Sequence, residues 1–129
     1  MRHLAATTPT LALALTLTLT LGMMSPKIAM AEQFDMVTSR DGFVGLIDGR
    51  EMQRLGIRLT VTPEGQIIGR AFGIAVTGAW SWDGAYFCRD LFWGERDLGY
   101  NCQQVQVQGE TLRFTSDQGT GDFADLTLR

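Results

Sequence analysis

From residue 52 onward apolar and polar positions alternate with a period of two, and short turn clusters break the alternation at regular intervals. Ile57, Leu59 and Val61 alternate with Arg58 and Thr60, which is the pattern of a strand with one buried face. Pro63-Glu64-Gly65 then offers a turn before a second strand over 66–72, so the two predict a hairpin. The same grammar repeats with strands over 76–82 and 85–91 around Asp83-Gly84, a favoured two-residue connection. After a loop that runs through Tyr100, 102–108 alternates Val105 and Val107 with glutamines, Gly109-Glu110 turns, and a strand over 111–116 follows. A last turn over 117–121 leads into a strand over 123–128. About seven strands joined by tight turns leave no room for crossover helices, so the sheet is expected to be an antiparallel meander. A meander this long on so few residues has to curl to bury one face and hide its edges. The expectation is a mainly β fold, a strongly curved sheet or small barrel, with one short helix and one disulfide.

The helix is expected ahead of the strands. Thr38-Ser39-Arg40-Asp41 offers capping side chains, and Phe43, Val44, Leu46 and Ile47 fall on one helical face. Gly49 is available as terminator. Further upstream the pattern changes again: Arg2 and His3 give a basic start, 11–24 is an apolar run diluted by threonines, and Ala29-Met30-Ala31 has the small residues that signal peptidase reads. That run of fourteen residues falls short of the roughly twenty that a helical span needs. We therefore expect a signal peptide over 1–31, a single β-domain over 32–129, and a periplasmic or secreted product with no membrane anchor left after cleavage.

Charge and cysteine content sharpen this picture. All fourteen acidic residues lie beyond position 31, facing nine arginines and no lysine. The exported part would carry a net charge near minus five, which argues against nucleic acid or an anionic membrane face as partner. Its only histidine, His3, belongs to the leader, so the domain lacks the commonest general base, neutral metal ligand and Schiff-base amine. Cys88 and Cys102 are the only cysteines, and an even pair in an exported chain reads as a disulfide. Near the facing ends of two strands they would staple the base of the loop 89–101, and closing about fifteen residues would contribute about 3 kcal/mol.

Three strings invite chemistry. Gly119-Thr120-Gly121-Asp122-Phe123-Ala124 matches a dinucleotide-binding fingerprint, but five residues remain after it, too few for the helix and second strand that such a site needs. Asp117, Asp122 and Asp125 resemble a single calcium turn, though a solvated acidic turn is the simpler account. Asp90, Glu95 and Asp97 are the carboxylates that a hydrolase would use as acid and base, and Arg89 and Arg96 beside them suggest ordinary surface pairing instead. No cofactor and no metal are expected.

Aromatic residues are the more telling feature. Trp80 and Trp82 share one strand face, and Phe87 falls in the core on the next strand. Phe92, Trp93 and Tyr100 lie instead in the stapled loop among charges, where aromatic side chains anchor protein or ligand contacts. Arg89, Phe92, Trp93, Arg96 and Tyr100 are thus the candidate binding residues, the arginines as anion or carboxylate contacts.

The strings Thr60-Val61-Thr62-Pro63-Glu64-Gly65, the W-x-W-x-G-x-Y-F-C-R run from Trp80 to Arg89, Asp97-Leu98-Gly99-Tyr100-Asn101-Cys102-Gln103 and Phe114-Thr115-Ser116-Asp117 resemble a group of small exported alphaproteobacterial proteins of unknown function. The likeness extends over most of 57–128. Some members carry the label dihydrodipicolinate reductase; that enzyme is a longer, two-domain nucleotide-binding protein with histidine and lysine at its site, which the present residues do not supply. The resemblance implies no catalytic residues. The leading expectation is a non-enzymatic binding module that recognises an envelope protein through the loop 89–101. The alternative is a carrier holding a small ligand in the mouth of the barrel, disfavoured by a core so rich in aromatics. A carboxylate-based hydrolase stands third.

Overall fold

The computed structural model describes residues 33–129 without a break, together with 9, 10, 12, 14 and 22–25. The leader residues Arg2, His3 and Lys27, and the expected cut after Ala31, lie outside the described residues. The chain divides into two units between Met30 and Ala31, and the second carries every element that follows.

Nine strands and one regular helix follow one another in the order β1 (Asp35–Val37), α1 (Arg40–Ile47), β2 (Met52–Arg54), β3 (Ile57–Val61), β4 (Gln66–Ala71), β5 (Ile74–Asp83), β6 (Tyr86–Trp93), β7 (Arg96–Gln108), β8 (Thr111–Thr115) and β9 (Phe123–Leu128). A four-residue turn, α2 (Ser116–Gly119), separates β8 from β9 and holds Asp117 and Gln118 at left-handed backbone angles. Each of β2 to β8 pairs antiparallel with the next, and β9 pairs back with β2. Eight strands thereby close on themselves, which removes the sheet edges that an open meander would expose. β1 is the ninth strand. It lies along Val105, Gln106 and Val107 of β7, covering the stretch of that long strand which β6, starting at the level of Gln103, leaves free.

Two departures from the sequence expectation have physical causes. Nine strands form rather than about seven because β1 and β2 are three-residue pieces, too short for any alternation to register; each exists because a neighbour offers unpaired backbone. The segment 89–101 is not a loop. β6 and β7 continue through it as a hairpin arm with Gly94-Glu95 at its tip, and a register shift between Asp90 and Phe92 bends the arm. Cys88 and Cys102 face each other across β6 and β7 and are joined as a disulfide, as expected. The β5–β6 turn is centred on Gly84-Ala85, one residue later than Asp83-Gly84. Gly84, at φ 61°, occupies the first central position, where a II′ connection takes glycine.

Barrel curvature has a visible source on β4 and β5. Gly69 and Gly78 sit in the inward-facing phase, and a Cβ at either would run into the backbone carbonyl of Arg58 or Asp90 on the adjoining strand. Their lack of a side chain lets the strands coil tightly enough to close on so few residues.

The helix closes one end. Ser39 caps it by accepting a hydrogen bond from the Gly42 amide, and Gly49 follows its C-terminus at φ 70°. Eight residues with two internal glycines cannot form a stable helix alone. What holds α1 is Phe43, fully buried and packed at ring-centroid distances of 5.2, 5.4, 5.0 and 6.3 Å from Trp80, Trp82, Phe87 and Phe114. Trp80 is fixed in turn by its indole N–H, which donates to the Thr62 carbonyl at 2.8 Å, while Arg40 of the helix lies over the same ring and donates to Pro63 O at 2.6 Å. Ile47, Val105, Leu112 and Leu128 complete the dry layer beneath.

Truncating Phe43 to Ala is expected to cost about 3–5 kcal/mol in urea unfolding, whereas Gly45→Ala, at an exposed helical position where a Cβ meets open space, is expected to add about 0.5–1 kcal/mol. If the two changes had equal small effects, α1 would not be the closure described. Replacing Cys88 and Cys102 together by Ala is expected to lower unfolding free energy by about 3 kcal/mol on the loop-entropy estimate, read from the same urea curves.

Candidate functional site

Period-two alternation decides what the barrel encloses. Met52 and Arg54 of β2, Ile57, Leu59 and Val61 of β3, Ile67 of β4, Phe87, Arg89 and Leu91 of β6, Gln103 of β7, Phe114 of β8, and Ala124 and Leu126 of β9 are in the inward phase and, with Ser116 of α2 and with Asp122 and Phe123, line one cavity of about 330 Å³. That volume lies at the lower end of the roughly 300–1,000 Å³ usual for small-molecule sites. Phe87 and Phe114, with ring centroids 5.4 Å apart, form its floor, and their far sides belong to the cluster around Phe43. The aromatic filling is therefore confined to the α1 end. This bears on the expectation that core aromatics disfavour a ligand-holding interior: beyond Phe87 and Phe114 the residues lining the cavity are aliphatic or polar apart from Phe123 at its edge.

The mouth lies at the opposite end, among the β2–β3 turn at Leu55-Gly56, the β4–β5 turn at Phe72-Gly73, the tip Gly94-Glu95 and the turn after β8. Its rim is unusually apolar. Leu55 is 94% and Phe72 68% exposed, and Ile74 and Phe123 are exposed as well. Phe72 takes φ 51°, a costly angle for a bulky residue. It is held there by its amide, which donates to the Gly56 carbonyl at 2.7 Å, and by its ring, which lies where a Gly56 side chain would be.

Arg89 is the charged group deepest in the wall. It follows Phe87 by two residues, so it points into the barrel, where it is half-buried and donates to the Gly99 carbonyl at 2.7 Å. Burial pushes its guanidinium below the ordinary arginine range, against an opposing effect of neighbouring Asp90. Among the described residues no carboxylate lies within ion-pair distance of it. Arg54 and Asp122 are the other charged side chains of the lining.

The five candidate binding residues therefore divide between two faces. Arg89 lines the cavity. Trp93 shares its inward phase but is tied to the rim by its indole N–H, which donates to Ala71 O at 2.9 Å. Phe92 and Tyr100 are outward and exposed, at 38% and 61%, and Arg96 is exposed beside the arm's tip. Ile57, Leu59, Gln103 and Ser116 were not picked out from the sequence as site residues; the signal available was strand phase, since an inward Phe87 implies an inward Arg89 and Leu91.

The acidic strings do not assemble into sites. Asp117 accepts from the Asn101 side chain at 2.8 Å while its own amide donates back at 3.0 Å, Asp125 pairs with Arg113, and Asp122 stands at the mouth. Asp90 and Glu95 are exposed, and Asp97 accepts from the Gly99 amide. None of these last three lines the cavity. No family model, curated protein or solved structure matches the chain, so the chemistry of the site stands on its own residues.

On the outer wall Arg113 forms two hydrogen bonds to Asp125, at 2.8 and 2.9 Å, with Phe34 and Phe123 each 4.1 Å from its guanidinium carbon. Hydrogen bonding from Arg113 holds the Asp125 carboxyl below its usual range, against an opposing desolvation. A lowered carboxylate contributes stability that is complete above the unfolded value, about 3.9, and is lost as pH falls through the folded value. Stability of the native chain is accordingly expected to decline more steeply below about pH 4 than that of Asp125→Asn. Urea midpoints measured from pH 7 to pH 2 check this, and parallel curves would remove the pair from the account.

Proposed function

We propose that this protein is an exported, non-enzymatic carrier that holds a small apolar ligand in the open end of its barrel. The supporting observation is the unfilled cavity itself, walled by Ile57, Leu59, Leu91 and Leu126 above a floor of Phe87 and Phe114. A small domain has every energetic reason to fill its core, because each cavity forfeits packing. Space left empty at one end, while the other end is packed around Phe43, is what a binding pocket looks like. Leu55, Phe72 and Ile74 are exposed at the turns of the same end, apolar surface that such a ligand would meet on approach. Export is supported by the disulfide and by the leader pattern; among the described residues no helix is long and apolar enough to cross a membrane.

A second reading has its own observation. Phe92, Leu98 and Tyr100 are exposed on the arm β6–β7, and a rigid, disulfide-stapled arm with outward aromatics suits recognition of an envelope protein. The two readings use opposite faces of the same strands. Titration with 1-octanol, followed by methyl and amide NMR, separates them: saturable shifts are expected at Leu59, Leu91 and Leu126, none at Phe92 or Tyr100, and loss of binding in Ala124→Phe, which fills the cavity wall. Absence of shifts inside the barrel would sink the carrier reading and leave the outward face of the arm as the binding surface.

A further inference from the structure

The cavity is apolar but its charge is not balanced, and this determines what kind of ligand fits. Arg89 enters the wall from β6 between Phe87 below and Leu91 above. Its Nη1 donates to Gly99 O, and the other guanidinium N–H groups have no protein acceptor among the described residues. Asp90, next in sequence, points to the opposite, outer face and is exposed. The other charged side chains of the lining, Arg54 and Asp122, are one of each sign and exposed, and Arg54 also acts on Asp125, which leaves Arg89 as the cation set into the wall. The free donors of Arg89 still reach solvent, since no buried side-chain polar atom among the described residues lacks a partner, and the only carboxylate that acts on the guanidinium, Asp90, does so from the outer face; the donors are therefore available to an anion entering the cavity. A guanidinium is also the side chain whose planar fork matches a carboxylate with two parallel hydrogen bonds.

We propose that the ligand is a small apolar acid, its hydrocarbon body against Ile57, Leu59, Leu91 and Leu126 and its carboxylate held by Arg89. This rests on the carrier reading above and narrows it to one chemical class. A cavity of about 330 Å³ suits a short-chain or single-ring acid. Gln103 and Ser116, which face each other at 3.5 Å across the wall, add neutral polar groups to the same lining without altering the sign of its charge.

Calorimetric titration with sodium octanoate and with 1-octanol at pH 7 tests the assignment, since the two share a chain and differ in charge. Octanoate is expected to bind about 10-fold or more tightly than octanol, the effect of a charge-assisted hydrogen bond of about 1.5 kcal/mol or more. Arg89→Gln is expected to erase that preference while leaving octanol binding in place, and Arg89→Lys to retain part of it. Equal affinities in the unsubstituted protein, or a preference unchanged in Arg89→Gln, would overturn the assignment to Arg89 and leave the carrier reading intact. Binding of neither probe would overturn both. The comparison in the unsubstituted protein decides the matter even if a substitution at Arg89 prevents folding.

Discussion

Everything in this molecule depends on the insertion of Phe43 into one end of the barrel. Eight strands that close on themselves enclose a space open at both ends, and a domain of this size cannot leave both wet and keep a core. The helix that carries Phe43 is too short and too rich in glycine to exist alone. It is stable because its ring completes a cluster with Trp80, Trp82, Phe87 and Phe114. Those residues come from three strands, β5, β6 and β8, so one insertion ties together three of the eight strands of the barrel wall. The cost of ordering α1 is met by burial that no strand could supply from its own pleat.

The opposite end is built by a different logic. Close approach of the strands there is allowed by the missing side chains at Gly69 and Gly78, and the β4–β5 turn is made with Phe72 at a positive φ. An inward Ile at position 69 would add core but would collide with the neighbouring backbone and force the sheet open. The missing side chains at these two glycines thus serve the close approach of neighbouring backbones, whose carbonyls occupy the space a Cβ would take.

Much of this was legible along the chain, and the failures are instructive. The helix was readable because capping, facial spacing and termination agree within eleven residues, from Ser39 to Gly49. Strands β3, β4, β8 and β9 were readable because each alternates for five residues or more between recognisable turns. Placing the β5–β6 turn one residue early did little harm. It shifts cross-strand partners by two positions, so Trp82 opposes Phe87 instead of Ala85, and inward residues stay inward. The arm 89–101 was misread because alternation reports burial, not hydrogen bonding. Beyond Leu91 both of its faces meet water, charges appear in either phase, and the ladder continues unseen. The candidate site inherited that error. Five residues assigned to one loop belong to strands, and strands separate odd from even positions onto opposite faces.

Arg89 shows why that separation matters for function. In a loop, an arginine among aspartates is an ordinary solvated charge. In phase with Phe87 and Leu91 it becomes a cation facing hydrocarbon, with its nearest acidic neighbour turned to the outside. A methionine there would shed the desolvation penalty and leave the Gly99 carbonyl to be satisfied by water at the mouth, at the loss of one hydrogen bond. The charge makes physical sense once an anion shares the cavity, because the medium that makes a lone guanidinium expensive also strengthens its attraction to a carboxylate. Under the proposed carrier function, the cavity, the free guanidinium donors and the aliphatic wall have one common account rather than three separate ones.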